Sequence, residues 1–201
     1  MLAEEAKAVA EHQRRRFNEL VEVFDRPQPP EVMARLREIV ASAELRSGAV
    51  VLDVGTGTGV LIPLIQSYRP SAVLACDVAE KMLQRVQHKY PTVRTFHTDI
   101  VSLALASTSL DAIFMNGMYG NVADKLAACG NAARMLRSGG RLVISHPEGR
   151  AFVDQLRATS DLFIESPPTR KEFEAILEPL DLEVLAYWDE PKLYLMVARK
   201  T

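Results

Sequence analysis

The stretch Val51-Leu52-Asp53-Val54-Gly55-Thr56-Gly57-Thr58-Gly59 passes from a short apolar run into a turn with glycine at every second position. A helical pattern follows, so the glycines occupy a strand-to-helix turn, and ligands of open α/β sheets bind beside such turns at the carboxyl ends of strands. Glycine admits positive φ and close approach of a ligand to the backbone, while a helix N-terminus behind the turn offers free N–H groups to an anion. The spacing discriminates. In a GxGxxG dinucleotide fingerprint the third position would be Val60; here the third glycine falls one residue early, at Gly59, which disfavours a dehydrogenase.

Working outward, apolar runs and helical patterns alternate. Strands are expected near 50–54, 72–77, 93–98, 111–116 and 141–145, with helices near 58–68, 79–89 and 123–137, the last ended by Gly139-Gly140. Strands apolar on both faces belong to a parallel sheet covered on each side, a three-layer α/β sandwich. Further on, Thr169 and Glu172 form a capping-box pattern ahead of Phe173, Ile176, Leu177 and Leu180. Two strand-like runs, Leu182–Trp188 and Lys192–Arg199, are separated only by Asp189, Glu190 and Pro191. That connection is too short for a helical crossover, so the two pair antiparallel, and the sheet is expected to end in one antiparallel edge strand.

Before the first strand, Leu2, Ala6, Val9, Ala10, Phe17, Leu20, Val21 and Phe24 share one helical face. Pro27, Pro29 and Pro30 interrupt it, and a second stripe runs from Val32 to Ala43 until Ser47-Gly48. The reading is one domain over residues 1–201, with 1–47 a helical extension and 48–201 the core. At 201 residues, about 70% of the unfolded surface can be buried. Apolar residues at 48% and charged residues at 25% are the balance of a globular protein. Lys and Arg number 24 against 26 for Asp and Glu, which gives no support to a polyanion partner. The N-terminus Met1-Leu2-Ala3-Glu4-Glu5 lacks a signal-peptide pattern and no run is long enough to span a membrane, so a cytoplasmic location is expected. Cys76 and Cys129 stand without metal-ligand spacing and read as small core residues; no metal site is expected.

Carboxylates stand at successive strand ends. Asp77 can accept both hydrogen bonds of a ribose diol and would repel a 2′-phosphate. Asp99, in His97-Thr98-Asp99-Ile100, is placed to accept from an adenine amine, although Asp after a strand also caps turns. With Asn116-Gly117 after the fourth strand, the series from Ala49 to Ser145 resembles the class I S-adenosylmethionine-dependent methyltransferases. The likeness is strongest in Val51–Gly59, where hydrophobic, hydrophobic, Asp, hydrophobic and GxGxG follow in order. The resemblance implies a Rossmann-like seven-stranded, mostly parallel sheet with an antiparallel last strand, and S-adenosylmethionine as cofactor, leaving as S-adenosylhomocysteine. It also implies roles: Asp53 with Gly55, Thr56, Gly57 and Gly59 for the methionine end, Asp77 for the ribose, Asp99 and Ile100 for the adenine, and Asn116-Gly117 beneath the sulfonium. Val78 and Met82 would line the adenine pocket, or serve as plain core.

The expected activity is methyl transfer to a small-molecule acceptor. Two alternatives stand beside it: a noncatalytic cofactor-binding regulatory module and a nucleotide-binding oxidoreductase. Tyr119, His146 and Glu148 lie beyond strand ends, where an acceptor would enter. His146, with an unperturbed pKa of about 6.5, reads as a general base or acceptor-orienting group, and equally as a turn residue before Pro147. Arg150 reads as a partner for an acidic substrate group or as an ordinary helix-opening arginine. Asn116-Gly117-Met118-Tyr119 is not the Asn/Asp-Pro-Pro-aromatic run of amino-methylating enzymes, and neither cysteine sits at a strand end as cytosine C5 methyltransferases require. Arg14-Arg15-Arg16 reads as a solvated face rather than an RNA contact. The segment before the first strand is expected to fold over the cofactor as a lid, with part of it, near Phe24-Asp25-Arg26, bordering the acceptor pocket.

Overall fold

The structure is a computed structural model and describes residues 3–201, with side-chain surroundings from Ala8 onward. Of the expected N-terminal stripe and start, Met1, Leu2 and the side chains up to Lys7 therefore lie outside the described residues. Strands β1 (Val50–Val54), β2 (Ala72–Asp77), β3 (Arg94–His97), β4 (Leu110–Asn116), β5 (Leu136–His146), β6 (Leu182–Glu190) and β7 (Leu193–Lys200) form one sheet in the order β3-β2-β1-β4-β5-β7-β6. The order reverses between β1 and β4, and the carboxyl ends that flank this switch point carry Gly55 and Asn116.

Alternate residues of the central strands face opposite layers, as the pleat requires. Val51, Phe114 and Val143 pack with Leu36, Ile39, Ile62 and Val86 on one side. Leu52, Ile113, Leu142 and Ile144 pack with Ala132, Phe173 and Leu177 on the other. Helices α3 (Pro30–Ala41), α4 (Ile62–Gln66) and α5 (Glu80–Lys89) supply the first layer, α6 (Lys125–Met135) and α8 (Arg170–Leu177) the second. Local chemistry sets several boundaries: Pro30 opens α3, Asp124 accepts from the Ala127 N–H to cap α6, and Thr169 and Glu172 complete the expected capping box of α8.

Four expectations shift. The antiparallel strand is β7, inserted between β5 and β6, so β6 rather than an antiparallel strand forms the edge. The hairpin turns on Pro191-Lys192 alone, because β6 continues to Glu190 opposite Leu193. The expected helix over 58–68 is confined to Ile62–Gln66, since Gly59 has φ +88° and cannot enter a right-handed helix. And α6 stops at Met135, ahead of Gly139, because Leu136 already pairs with Leu110.

The N-terminal stripe is broken into α1 (Ala3–Glu19) and a single turn, α2 (Val21–Phe24). α1 runs between two parts of the core. Toward α5, Asn18 Oδ1 accepts from the Lys81 N–H at 2.9 Å, supplying the cap that Ala79 lacks, and Phe17 packs with Val21, Ala79 and Met82. Toward the other side, Gln13 Nε2 donates to the Phe163 carbonyl at 2.8 Å, and Arg16 and His12 pair with Asp161. Helix α7 (Gly149–Thr159) follows β5, and residues 160–168 lead from it to α8. Among the described residues no helix is long and apolar enough to cross a membrane.

Candidate functional site

The glycine turn is fixed by β2. Gly55 and Thr56 N–H both donate to the Cys76 carbonyl, at 2.8 and 3.2 Å, and Gly57 N–H donates to Asp77 Oδ2 at 2.9 Å. All three glycines have positive φ: +61°, +54° and +88°. They differ in what surrounds them. A Cβ on Gly55 would meet the Met118 side chain at 2.7 Å and one on Gly59 would meet Ile62 at 2.8 Å, so those two serve packing. A Cβ on Gly57, and equally on Gly117 at the end of β4 (φ +68°), would enter open space. Close packing thus explains two glycines and leaves the other two facing a region open to a ligand. The N–H groups of Gly59 and Ile62 are spent inside the turn on Thr56 and Gly59 carbonyls.

Asp77 is the hinge of this half. Its Oδ1 accepts from Ala79 N–H at 2.8 Å while Oδ2 holds Gly57, leaving about two of the four lone-pair sites of a carboxylate. Burial raises its pKa and the backbone N–H donors oppose that shift. Asp53 is fully enclosed: Thr56 Oγ1 donates to its Oδ2 at 2.7 Å, and desolvation, aided by the charge of Asp77, pushes its pKa up to about 7. Thr58 Oγ1 donates to the Phe24 carbonyl at 3.0 Å, so α2 is tied to the turn itself.

Other expected cofactor residues are placed less simply. Asp99 Oδ1 accepts from the Ser102 N–H at 2.6 Å, the turn-forming role open to it from sequence, and its side chain is exposed. Ile100 is core, its carbonyl held by Asn131 Nδ2 at 2.6 Å. Met82 is buried beneath Val21, whereas Val78 is half-buried with its carbonyl at 3.0 Å from His97 Nε2. Asn116 Oδ1 accepts from Ser145 Oγ at 2.9 Å, across neighbouring strands β4 and β5.

A cavity of about 40 Å³ lies next to Gly117, bounded by residues 117–121, 144–146, Val153, Leu156, Ile164, Pro167 and Tyr194. It admits on the order of three waters, the size of a reacting group rather than of a whole acceptor. Tyr119 and His146 both border it, but their polar atoms are used differently from expectation. The Tyr119 hydroxyl lies 3.6 Å from Cys129 Sγ within the core, and burial raises its pKa, so it offers no proton acceptor at the mouth. His146 is half-buried, and desolvation lowers its pKa to about 4 from the usual 6.5. Arg150 is consumed internally: its guanidinium donates to Asp189, to the Pro167 and Pro168 carbonyls and to the Tyr187 hydroxyl, and it stacks over Tyr194. It fastens the cavity wall and is not free for a substrate. No described residue of 8–26 borders the cavity; Gln13 is linked to it through the Phe163 carbonyl, which also accepts from Asn121 Nδ2.

Several participants escaped the sequence reading. Gln13 carried a signal, since it stands four residues after Val9 and four before Phe17, a polar residue on an apolar face. Met118, Thr58 and Arg35 carried none, because their partners Gly55, Phe24 and Pro147 are distant in the chain.

A family model described as a methyltransferase domain matches residues 52–144. The chain is 31% identical over 151 residues to the demethylmenaquinone methyltransferase of Tropheryma whipplei, covering 70% of this chain and 61% of that protein. It is 35% identical over 113 residues to the malonyl-[acyl-carrier protein] O-methyltransferase of Methylococcus capsulatus, covering 54% and 41% respectively. Its fold matches a SAM-dependent methyltransferase from Aquifex aeolicus with a TM-score of 0.72, at 21% identity and over 92% of this chain and 98% of the other. The chain spans from about a third to three fifths of the length of the first curated relatives it matches.

Proposed function

We propose that the chain is a class I S-adenosylmethionine-dependent methyltransferase that transfers a methyl group to a small-molecule acceptor, a reading supported by its match to a methyltransferase-domain family model and by its likeness to named methyltransferases. The observation that carries this reading is the pairing of two open positive-φ glycines, Gly57 and Gly117, with the strand-end carboxylate of Asp77. When bound, S-adenosylmethionine supplies a methyl group already activated on a sulfonium. Asp77 would hold the ribose through its remaining lone pairs, and Gly57 lets the backbone approach. Asp53 would meet the methionine ammonium; its raised pKa is the state of that carboxyl before a cation arrives. Gly117 and the Asn116–Ser145 pair would floor the site between cofactor and cavity.

In-line displacement from a sulfonium needs positioning and exclusion of water more than side-chain chemistry. The narrow cavity beside Gly117, with no charged residue among those bordering it, suits that task. The relatives named demethylmenaquinone methyltransferase support an acceptor of small-molecule type.

Thermal shifts with S-adenosylhomocysteine, S-adenosylmethionine and NAD test the cofactor. A ligand at one hundred times its dissociation constant adds about 2.7 kcal/mol of stability. Stabilisation by the first two is expected; stabilisation by NAD alone would instead assign a nucleotide-binding oxidoreductase. Incubation of a small-molecule extract with methyl-labelled cofactor then tests transfer. Binding without label incorporation would make the chain a regulatory module.

A further inference from the structure

The polar atoms around the cavity are almost all spent within the protein. Ser145 Oγ is bound to Asn116, Asn121 Nδ2 donates to the Phe163 carbonyl at 3.0 Å, and Tyr194 Oη donates to the Pro168 carbonyl at 2.6 Å. Tyr119 is turned to Cys129. His146 differs. Its Nδ1 is 3.2 Å from the backbone N–H of Glu148, and Nε2 has no partner among the described residues.

A backbone N–H can only donate, so Nδ1 must be the bare nitrogen of the ring. The proton of the neutral imidazole then resides on Nε2. The turn that imposes this tautomer is braced from outside: Arg35 on α3 donates to the Pro147 carbonyl and pairs with Glu148 Oε1 at 3.1 Å. Phe152 lies against the ring, centroid to centroid 5.4 Å, restricting its rotation. Desolvation keeps the ring uncharged at neutral pH, consistent with a fixed donor.

We propose that His146 is a hydrogen-bond donor to the acceptor through Nε2–H, not a general base, and that the acceptor group it selects is an oxygen bearing free lone pairs, such as a carbonyl or enolate oxygen. An ammonium group finds no carboxylate among the residues bordering the cavity, whereas an oxygen satisfies the Nε2–H donor. The substrate half of this inference rests on the methyltransferase reading; the tautomer does not.

The experiment separates the two. Side-chain 15N NMR of the full chain, with His146 assigned by its loss in His146→Gln, reads the tautomer directly. A protonated Nε2 and bare Nδ1 at pH 7 are expected, and a protonated Nδ1 overturns the proposal whether or not the chain methylates anything. Acetophenone and 1-phenylethylamine, sharing one carbon frame, then serve as probes with S-adenosylhomocysteine present and absent. Acetophenone should shift the Nε2–H resonance and bind at least tenfold more tightly than the amine. Binding should persist in His146→Gln, whose amide can donate from a similar place but cannot act as a base, and fall about tenfold in His146→Leu. Equal or tighter amine binding, no binding of acetophenone, or unchanged binding in His146→Leu overturns it.

Discussion

The two halves of the site are built from different materials. The proposed cofactor half is made largely of backbone: a seven-residue stretch from Asp53 to Gly59, bonded to the next strand through the Cys76 carbonyl and Asp77. The proposed acceptor half is lined by five separate segments, held by Arg150 and Arg35. Backbone geometry tolerates most substitutions but not loss of a glycine at positive φ. A wall of side chains can be retuned one residue at a time.

Breaking the cofactor half should produce the largest effect. Gly57→Val places a β-branched residue at φ +54°, costing about 1–2 kcal/mol in conformation and putting a side chain where the ligand approaches. Calorimetry with S-adenosylhomocysteine should show affinity lowered by at least about 100-fold in a folded protein, while the acetophenone site persists. Arg150→Met probes the other half. Loss of four internal hydrogen bonds should lower stability by about 2–4 kcal/mol in urea titration and release the 160–168 wall, leaving S-adenosylhomocysteine affinity within about twofold.

Two ionisable groups carry opposite pH signatures, one in each half. His146 has a folded pKa of about 4, below its unfolded 6.5, so its contribution to stability is present above pH 6.5 and is lost as pH falls through 4. His146→Gln should therefore lose about 2 kcal/mol less than wild type between pH 7 and 4.5 by denaturant titration. Asp53 has the reverse shift: raised to about 7, it must ionise to meet an ammonium. Binding of S-adenosylmethionine should release a proton and tighten about tenfold from pH 6 to 8, with Asp53→Asn flattening the profile. The smallest change tests the tie between the N-terminal extension and α5. Asn18→Ala removes a cap and should cost about 1 kcal/mol, read as faster amide exchange at Lys81.

The legibility of the sequence follows the same division. Asp53, Asp77 and the glycines could be placed because each sits at a strand end whose position is set by local apolar patterning. Asp99 was placed as well, but its bond to Ser102 N–H is a competition between turn and ligand that position alone does not decide. The antiparallel strand was legible from a short loop; its insertion between β5 and β6 was not, since either side of β7 can pair.

By itself the sequence determined the layered α/β architecture, the GxGxG turn and the strand-end carboxylates, because these depend on neighbours along the chain and on repeats of two and of three to four residues. Only the tertiary structure decided what the polar side chains do. Tyr119 is turned to Cys129, Arg150 is used up on Asp189 and two proline carbonyls, and His146 receives an N–H at Nδ1 and is partly desolvated. The physical reason is that a hydrogen-bonding atom acts on a ligand only with the capacity its own protein leaves unspent, and those partners come from segments far apart in sequence.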